Sequence, residues 1–544
     1  MEEFVFGTLA NDQLKLIHHR ADRRGLQHGH DLSPADPVPG APIRVRVSVG
    51  PELAVEQAAL YYTTDGSSPR GSRGKALAGK AVVLEKSDLI WDTFLWGYRS
   101  LWEGMIPGQQ EDTLIRYQVS AWSEDGEEVY ADWPDVQKTI ELSTDAFFND
   151  REIPEARPGE PGEPRDFAIN VDRYRAPDCA RRAVIYQIFV DRFYPGEGKH
   201  WKKPDSLQGF YGGTLWGVLE KLDYIENLGV NCLWLSPVFS SPSHHGYDAT
   251  DLYQVEERLG GNQALKTLVE EAHQRGIRIL LDFICNHVSH RHPYFQDARE
   301  NPDSPYREYF TFDDSPLGYR TFFGVKSMPQ VRLANPRARD WMIEAARYWL
   351  REFEVDGFRL DYANGPGPDF WTYFWRGCKQ EKTESYCFGE IIEAPSKQQT
   401  YRGRLDGCLD FLAADALRKT YARKIWTEQQ LDHFLSRHQA YFADGLLMPT
   451  FLDNHDMDRF LILSGGDKEA LKRAAAVQMQ LEGPPIIYYG TEIGLDQEVS
   501  VQEGGGIHVS RVPMIWDDWA DHELLAFYRE IIDRRKARQS GKGE

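Results

Sequence analysis

Cysteine is scarce: Cys179, Cys232, Cys285, Cys378, Cys387 and Cys408 are the 6 in 544 residues, and no two stand in a CxxC pair. That spacing argues against a zinc site or a disulfide frame and fits reduced thiols. Long apolar runs are also missing. The strand-length run Ile277 to Ile284 is interrupted by Arg278 and Asp282, so no membrane span is expected. From Met1 to Gly25 there are several charges and no apolar stretch of the kind a signal peptide needs, which makes a cytoplasmic location the expectation. Positive charge is in deficit, with 63 Lys and Arg against 84 Asp and Glu for a formal charge of −21. Such a chain repels nucleic acid and anionic membranes, and neither is an expected partner. What is plentiful is aromatic: 15 Trp, 26 Tyr and 27 Phe, rings that either fill a core or offer flat faces to a ligand.

The chain divides by pattern. Up to about residue 150, short alternating runs such as Ile43-Arg44-Val45-Arg46-Val47, broken by turns like Asp65-Gly66, predict an immunoglobulin-like β-sandwich. Residues 151–180 read as a linker, since Pro154, Pro158, Pro161 and Pro164 with Gly159 and Gly162 suit neither helix nor sheet interior. From 181 to 544 strand-like and helix-like segments alternate. The strand candidates are Ala183 to Val190, Cys232 to Phe239, Ile277 to Ile284, Val355 to Tyr362, Ser385 to Ile391, Leu405 to Phe411, Leu446 to Leu452 and Pro484 to Gly490. Helical spacing marks Thr214 to Leu228, Pro336 to Glu354 and Asp521 to Arg538. This is the pattern of an α/β fold of the (β/α)8 TIM-barrel type, with reactive groups at the C-terminal ends of the strands. Residues 288–333, aperiodic and too long for a connection, predict a small subdomain inserted after the third strand. The chain ends just after the eighth helix, so no C-terminal β-sandwich is expected.

Four strand ends are rich in chemistry: Asp282-Phe283-Ile284-Cys285-Asn286-His287, Arg359-Leu360-Asp361, Gly389-Glu390 and Asp453-Asn454-His455-Asp456. Residues two apart on a strand face the same way, so Arg359 and Asp361 project together, and the guanidinium is expected to hold that carboxylate ionised. Glu390, between Phe388-Gly389 and Ile391-Ile392, sits where desolvation raises a carboxyl pKa. A low-pKa and a high-pKa carboxyl on neighbouring strands suit glycoside hydrolysis with retention. Asp456 adds a third carboxylate, and His287 and His455 are donors for sugar hydroxyls. Any one of these motifs alone is more often a structural ion pair, and Asp282 reads as a brace inside the barrel. His244-His245, His290 and His292 lack metal-site spacing. Trp91, Trp96, Tyr98 and Trp102 could form a starch-binding platform, but in a sandwich such rings are more often core or interdomain packing.

These residues resemble the α-amylase family of retaining glycosidases. DFICNH, GFRLDYAN, FGEII and FLDNHD are similar to its four sequence regions, in the family's order, and His245-Gly246-Tyr247-Asp248 is similar to another. The resemblance covers about Ala183 to Arg538. It implies Asp361 as nucleophile, Glu390 as acid/base and Asp456 as transition-state stabiliser. Arg359, His287 and His455 would line the sugar subsite at the cleavage point, with Tyr247 stacking on the ring. The N-terminal module, the linker and the insert ending Ser327-Met328-Pro329 are most similar to the neopullulanase, cyclomaltodextrinase and maltogenic amylase branch. That branch usually reads DVANE where this chain has Asp361-Tyr362-Ala363-Asn364-Gly365, so the contacts of its Glu do not carry over. Asn286 matches one usual calcium ligand, but the His of that site has no counterpart; no cofactor or metal is therefore required by the resemblance. The implied activity is hydrolysis of α-1,4 bonds in starch, maltooligosaccharides or cyclodextrins. Two alternatives stay open: a 4-α-glucanotransferase using the same residues, and a non-catalytic glucan-binding or scaffold protein. The sequence leaves the oligomeric state open.

Overall fold

The computed structural model describes residues 12–133, 137, 164–443, 445–516 and 520–541. Most of the Pro/Gly-rich stretch, including Pro154, Pro158 and Pro161, lies outside them. After a helix at Asp12–Ala21 come β1 (Leu26–Ser33), β2 (Ile43–Val49), β3 (Gln57–Thr63), β4 (Arg70–Ser72), β5 (Lys75–Ala78), β6 (Lys80–Asp92), β7 (Gly97–Ile106), β8 (Thr113–Trp122), β9 (Val129–Tyr130) and β10 (Phe167–Val171). The hydrogen-bonded order is β1-β2-β7-β6-β3-β8-β10, with β9 on β8 and β4 paired to β5. β6 folds this path over. Its residues Lys80 to Leu84 pair with β3 and its residues Glu85 to Asp92 pair with β7. Alternation then supplies the core: Ile43, Val45 and Val47 of β2 join Leu60, Tyr117 and Ile169 in one buried cluster.

Two expectations are corrected in this half. β10 lies inside the stretch read as linker, yet its five residues are buried and pair antiparallel with β8. The Pro/Gly signal ends at Pro164, and the apolar run after it closes the sheet edge. Trp91, Trp96 and Tyr98, expected to be packed inside, are 43%, 77% and 59% exposed, whereas Trp102 is buried. Beyond Leu84, β6 pairs only with β7 among the described residues, and there Trp91 meets Trp96 and Tyr98 edge-on.

All eight expected barrel strands form, most of them shorter than their apolar runs. They are β11 (Ile185–Ile188), β12 (Cys232–Leu235), β15 (Arg278–Phe283), β16 (Gly357–Leu360), β17 (Tyr386–Gly389), β18 (Gly407–Cys408), β19 (Thr450–Phe451) and β20 (Pro485–Tyr488); β13 (Phe239–Ser240) and β14 (Asp251–Val255) make a small ribbon after β12. The order is β18-β17-β16-β15-β12-β11-β20-β19. The ends meet through a bridge from Gly407 to Leu447, with the Cys408 N–H donating to the Leu447 carbonyl at 2.9 Å, and the ring is closed. The helix Pro336–Glu352 buries Met342, Ala345, Ala346 and Trp349, and the Asn335 side chain caps it by accepting from the N–H groups of Arg337 and Ala338, an interaction of about 1 kcal/mol. The single helix expected over Thr214 to Leu228 is two, Leu215–Glu220 and Leu222–Leu228. The break falls at Lys221, whose ammonium lies 4.1 Å and 4.3 Å from the Tyr194 and Trp516 ring centroids. Between His287 and Leu333 there are a short α-helix, Pro293–Glu300, a single 3-10 turn, Arg307–Tyr309, and a strap tied back by bridges His287–Gln330 and Phe310–Val331. All six cysteines are unpaired. Among the described residues no helix is long and apolar enough to cross a membrane.

The sandwich meets the barrel through buried polar groups. Asp369, at the start of the helix Gly367–Glu381, accepts from the Ala168 N–H of β10 and pairs with His30 of β1, both at 2.9 Å, and Asn170 donates to the Thr372 carbonyl. Burial works against the Asp369 charge, but His30, Arg165 and Arg404 outweigh it and hold the carboxyl well below its usual range. Burial pushes His30 down to about 4 and His28 down to about 3. Both are therefore neutral in the folded chain at pH 7 and bind protons on unfolding at mildly acidic pH. Stability is predicted to fall as pH drops from 6.5 towards 4, where the unfolded chain takes up protons the folded one refuses. Melting curves between pH 7 and 5 check this. A His28→Gln, His30→Gln double variant is expected to show a shallower decline than wild type, and equal slopes would refute the assignment.

Candidate active site

β16 brings the site together. Phe358 and Leu360 point outward into the apolar layer, leaving Arg359 on the inner face. Arg359 is 1% exposed. Its Nη1 donates to Asp282 Oδ1 at 2.8 Å and to Asp361 Oδ1 at 2.9 Å, and its Nη2 pairs with Glu390 Oε2 at 2.8 Å. Strand register explains the first contact, since Asp282 of β15 is paired directly with Arg359. Asp282 is a brace, as expected: its other oxygen accepts from Trp234 Nε1 at 3.1 Å and from the Tyr247 hydroxyl at 3.0 Å.

Tyr247 arrives from the loop after β13. Gly246 makes the turn at φ +78, and a side chain there would collide with the Pro237 carbonyl at 2.5 Å. Asp248 accepts from Ser241 and Ser243 and ties the loop down. The Tyr247 ring lies parallel to His455, with centroids 5.6 Å apart. His455 Nδ1 accepts from Gln187 Nε2 at 2.7 Å, which leaves the ring proton on Nε2, 2.9 Å from Asp456 Oδ2. Arg511 completes this side by donating to Asp456 Oδ1 at 2.7 Å and to the His455 carbonyl at 2.8 Å. His287 stacks on Phe322 of the insert at 4.7 Å.

Three carboxylates around one guanidinium alter the protonation expected from the sequence. Burial pushes Asp361 well above the usual carboxylate range; Arg359 pulls it down, but Glu390, Asp282 and Asp456 push it back up. The expectation that Arg359 alone keeps Asp361 ionised is thus corrected. Glu390 is raised, first by burial, with Arg359 opposing and Asp456 adding to it. Both carboxyls are thus shifted toward the protonated form, and the charge of Glu390 is one cause of the shift at Asp361. Asp456 goes the other way. Burial disfavours its charge, yet His455 and then Arg511 and Arg359 hold it well below its ordinary value.

These groups surround a cavity of about 230 Å³. Of the residues singled out in the sequence, Tyr247, His287, Asp361, Glu390 and Asp456 line it; Arg359 and His455 lie behind them. The lining also holds Met328 from the insert and Tyr362 beside Asp361, and two residues with no sequence signal, Phe322 from the insert and Arg511 from the segment after β20. Only the fold could find these, because each reaches the mouth from an irregular stretch. Among the described residues no cluster of three or more His, Cys, Asp or Glu could hold a metal ion. Asn286 Oδ1 accepts from Gln330 Nε2 at 2.9 Å instead, so the residues present do not fit a calcium site.

Comparison with known proteins agrees with this geometry. Residues 187–539 match the family model described as the α-amylase catalytic domain. Alpha-amylase 2 of Dictyoglomus thermophilum is 41% identical over 372 residues, 68% of this chain and 66% of that protein. The intracellular maltogenic amylase of Bacillus subtilis is 33% identical over 68% of this chain and 64% of its own length. The chain therefore spans about two thirds of the length of these relatives. A solved cyclomaltodextrinase superposes over 94% of this chain and 84% of its own, with a TM-score of 0.63 and 25% identity. The chain belongs to the α-amylase family.

Proposed function

We propose that this protein is an α-glucan hydrolase that cleaves α-1,4-glucosidic bonds in starch, maltooligosaccharides or cyclodextrins by double displacement, working in the cytoplasm without a metal or organic cofactor. The carrying observation is the pair Asp361 and Glu390 on the two nitrogens of one buried guanidinium, with Asp456 held ionised beside them. The relatives' names, maltogenic amylase and cyclomaltodextrinase, supply the substrate class.

In this reading a glucosyl unit stacks on Tyr247, and His287 and Asp456 bind its hydroxyls. Glu390, shifted toward its protonated form, gives its proton to the glycosidic oxygen as Asp361 attacks the anomeric carbon. As Asp361 spends its charge in the new bond, Glu390 becomes the anion. Arg359 Nη2 and the Tyr362 N–H, 2.8 Å and 3.0 Å from Glu390 Oε2, then stabilise it. Asp456, kept charged by His455 and Arg511, favours the oxocarbenium-like transition state. Water enters, Glu390 takes its proton, and the sugar leaves with its α configuration.

Asp361→Ala is predicted to lower turnover of maltoheptaose, β-cyclodextrin and soluble starch by at least about 10⁴-fold, while wild type releases short α-configured sugars detectable by proton NMR. Wild type that binds all three and cleaves none would sink the proposal, and products longer than the donor would move it to the glucanotransferases. The pH profile tests Glu390 separately. A raised acid gives a rate that falls on the alkaline side as Glu390 loses its proton, and Glu390→Gln should remove that limb with a loss of about 10²- to 10⁴-fold. An intact alkaline limb in the variant would show that another group donates.

A further inference from the structure

Tyr362 follows the nucleophile candidate and sits at φ +39, a left-handed conformation that bulky residues rarely adopt. Three contacts hold it there. Its ring meets Phe322 edge-on at 5.0 Å and Phe323 at 5.4 Å, both from the insert. Beneath it lies Gly365, where an added Cβ would come within 2.7 Å of the Tyr362 ring and 2.3 Å of Asn286 Oδ1. The Gly365 N–H donates to the Tyr362 carbonyl at 3.0 Å. Tyr362 and Gly365 thus go together: the glycine leaves the room that the ring fills.

The backbone of Tyr362 has its own task. Its N–H donates to Glu390 Oε2 at 3.0 Å. The neighbours on both sides are pinned, with the Asp361 N–H on the Phe283 carbonyl at 3.1 Å and the Ala363 N–H on the Glu390 carbonyl at 2.9 Å. A change of φ at 362 must therefore be taken up by turning the peptide between 361 and 362, the one that carries this N–H.

We propose that Tyr362 is a positioning residue through which the inserted segment sets the proton donor: Phe322 and Phe323 hold its ring, the ring holds its backbone, and the backbone keeps an N–H on Glu390. This rests on the hydrolase reading above. The other groups facing Glu390 are Arg359 and Asp361 from the end of β16 and His455 and Asp456 from the end of β19, with Asp282 and Tyr247 behind Arg359 and Arg511 behind Asp456. None of these is altered by changing Tyr362, Phe322 or Phe323. An N–H bond favours the carboxylate, so losing it raises the pKa of Glu390 and carries the alkaline limb of the rate profile to higher pH.

The test is the pH dependence of kcat/KM on maltoheptaose and on 4-nitrophenyl α-maltoside, whose leaving group needs little protonation. Four proteins are compared: wild type, Tyr362→Val, Tyr362→Gly, and the double variant Phe322→Ala, Phe323→Ala. Valine disfavours a positive φ and is expected to move the alkaline limb up by about one pH unit, with maltoheptaose losing more rate than the aryl glycoside. Glycine accepts a positive φ and should leave the limb in place. The double alanine variant should shift it in the valine direction, and it reports even if Tyr362→Val fails to fold. Limbs unmoved in all variants, with equal losses on both substrates, would reduce Tyr362 to a piece of the cavity wall and overturn the inference. Wild type that cleaves neither substrate would instead refute the hydrolase reading and this inference with it.

Discussion

One guanidinium carries the site. Arg359 is a single buried cation bonded to Asp282, Asp361 and Glu390, and no arrangement of three ionised carboxylates around it is neutral. Asp282 is satisfied by Trp234 and Tyr247 and stays a brace, while the pair that faces the cavity is shifted toward the protonated form. Removing a cation from such a cluster leaves several uncompensated buried charges, which costs far more than a surface pair would. Arg359 is therefore as much a condition of the fold as of the chemistry.

On the other side of the mouth Arg511, with the ring N–H of His455, helps keep Asp456 ionised. Two carboxyls shifted toward the protonated form and a third held ionised stand within a single barrel mouth. The difference lies in their partners, since all three line the same cavity. This separation of protonation states is what acid, nucleophile and charge stabiliser need at one pH.

The N-terminal sandwich and the insert bear on the same loop from two sides. The helix Gly367–Glu381, which follows the nucleophile loop, is anchored by Asp369 to His30 and to the Ala168 N–H. The insert packs Phe322 and Phe323 on Tyr362. Between these supports, the backbone from Asp361 to Asp369 has little freedom to move without disturbing either.

Much of this was legible along the chain. Eight apolar runs of strand length foretold the barrel, because a strand buried on both faces must be apolar throughout, and side-chain alternation placed Arg359 and Asp361 together. The runs overstate strand length, since apolar residues continue past the last ladder bond into loops that are themselves buried. β10 was hidden by the proline-rich stretch before it, and the exposed Trp91, Trp96 and Tyr98 looked like core because composition cannot tell an inner face from an outer one. Sequence alone determined which carboxyls stand at strand ends, through local periodicity. Tertiary structure alone decided their protonation, the arrival of Arg511 and Phe322, and the left-handed backbone of Tyr362. Those depend on which distant segments share a few ångströms of low-dielectric space, and separation along the chain carries no record of that.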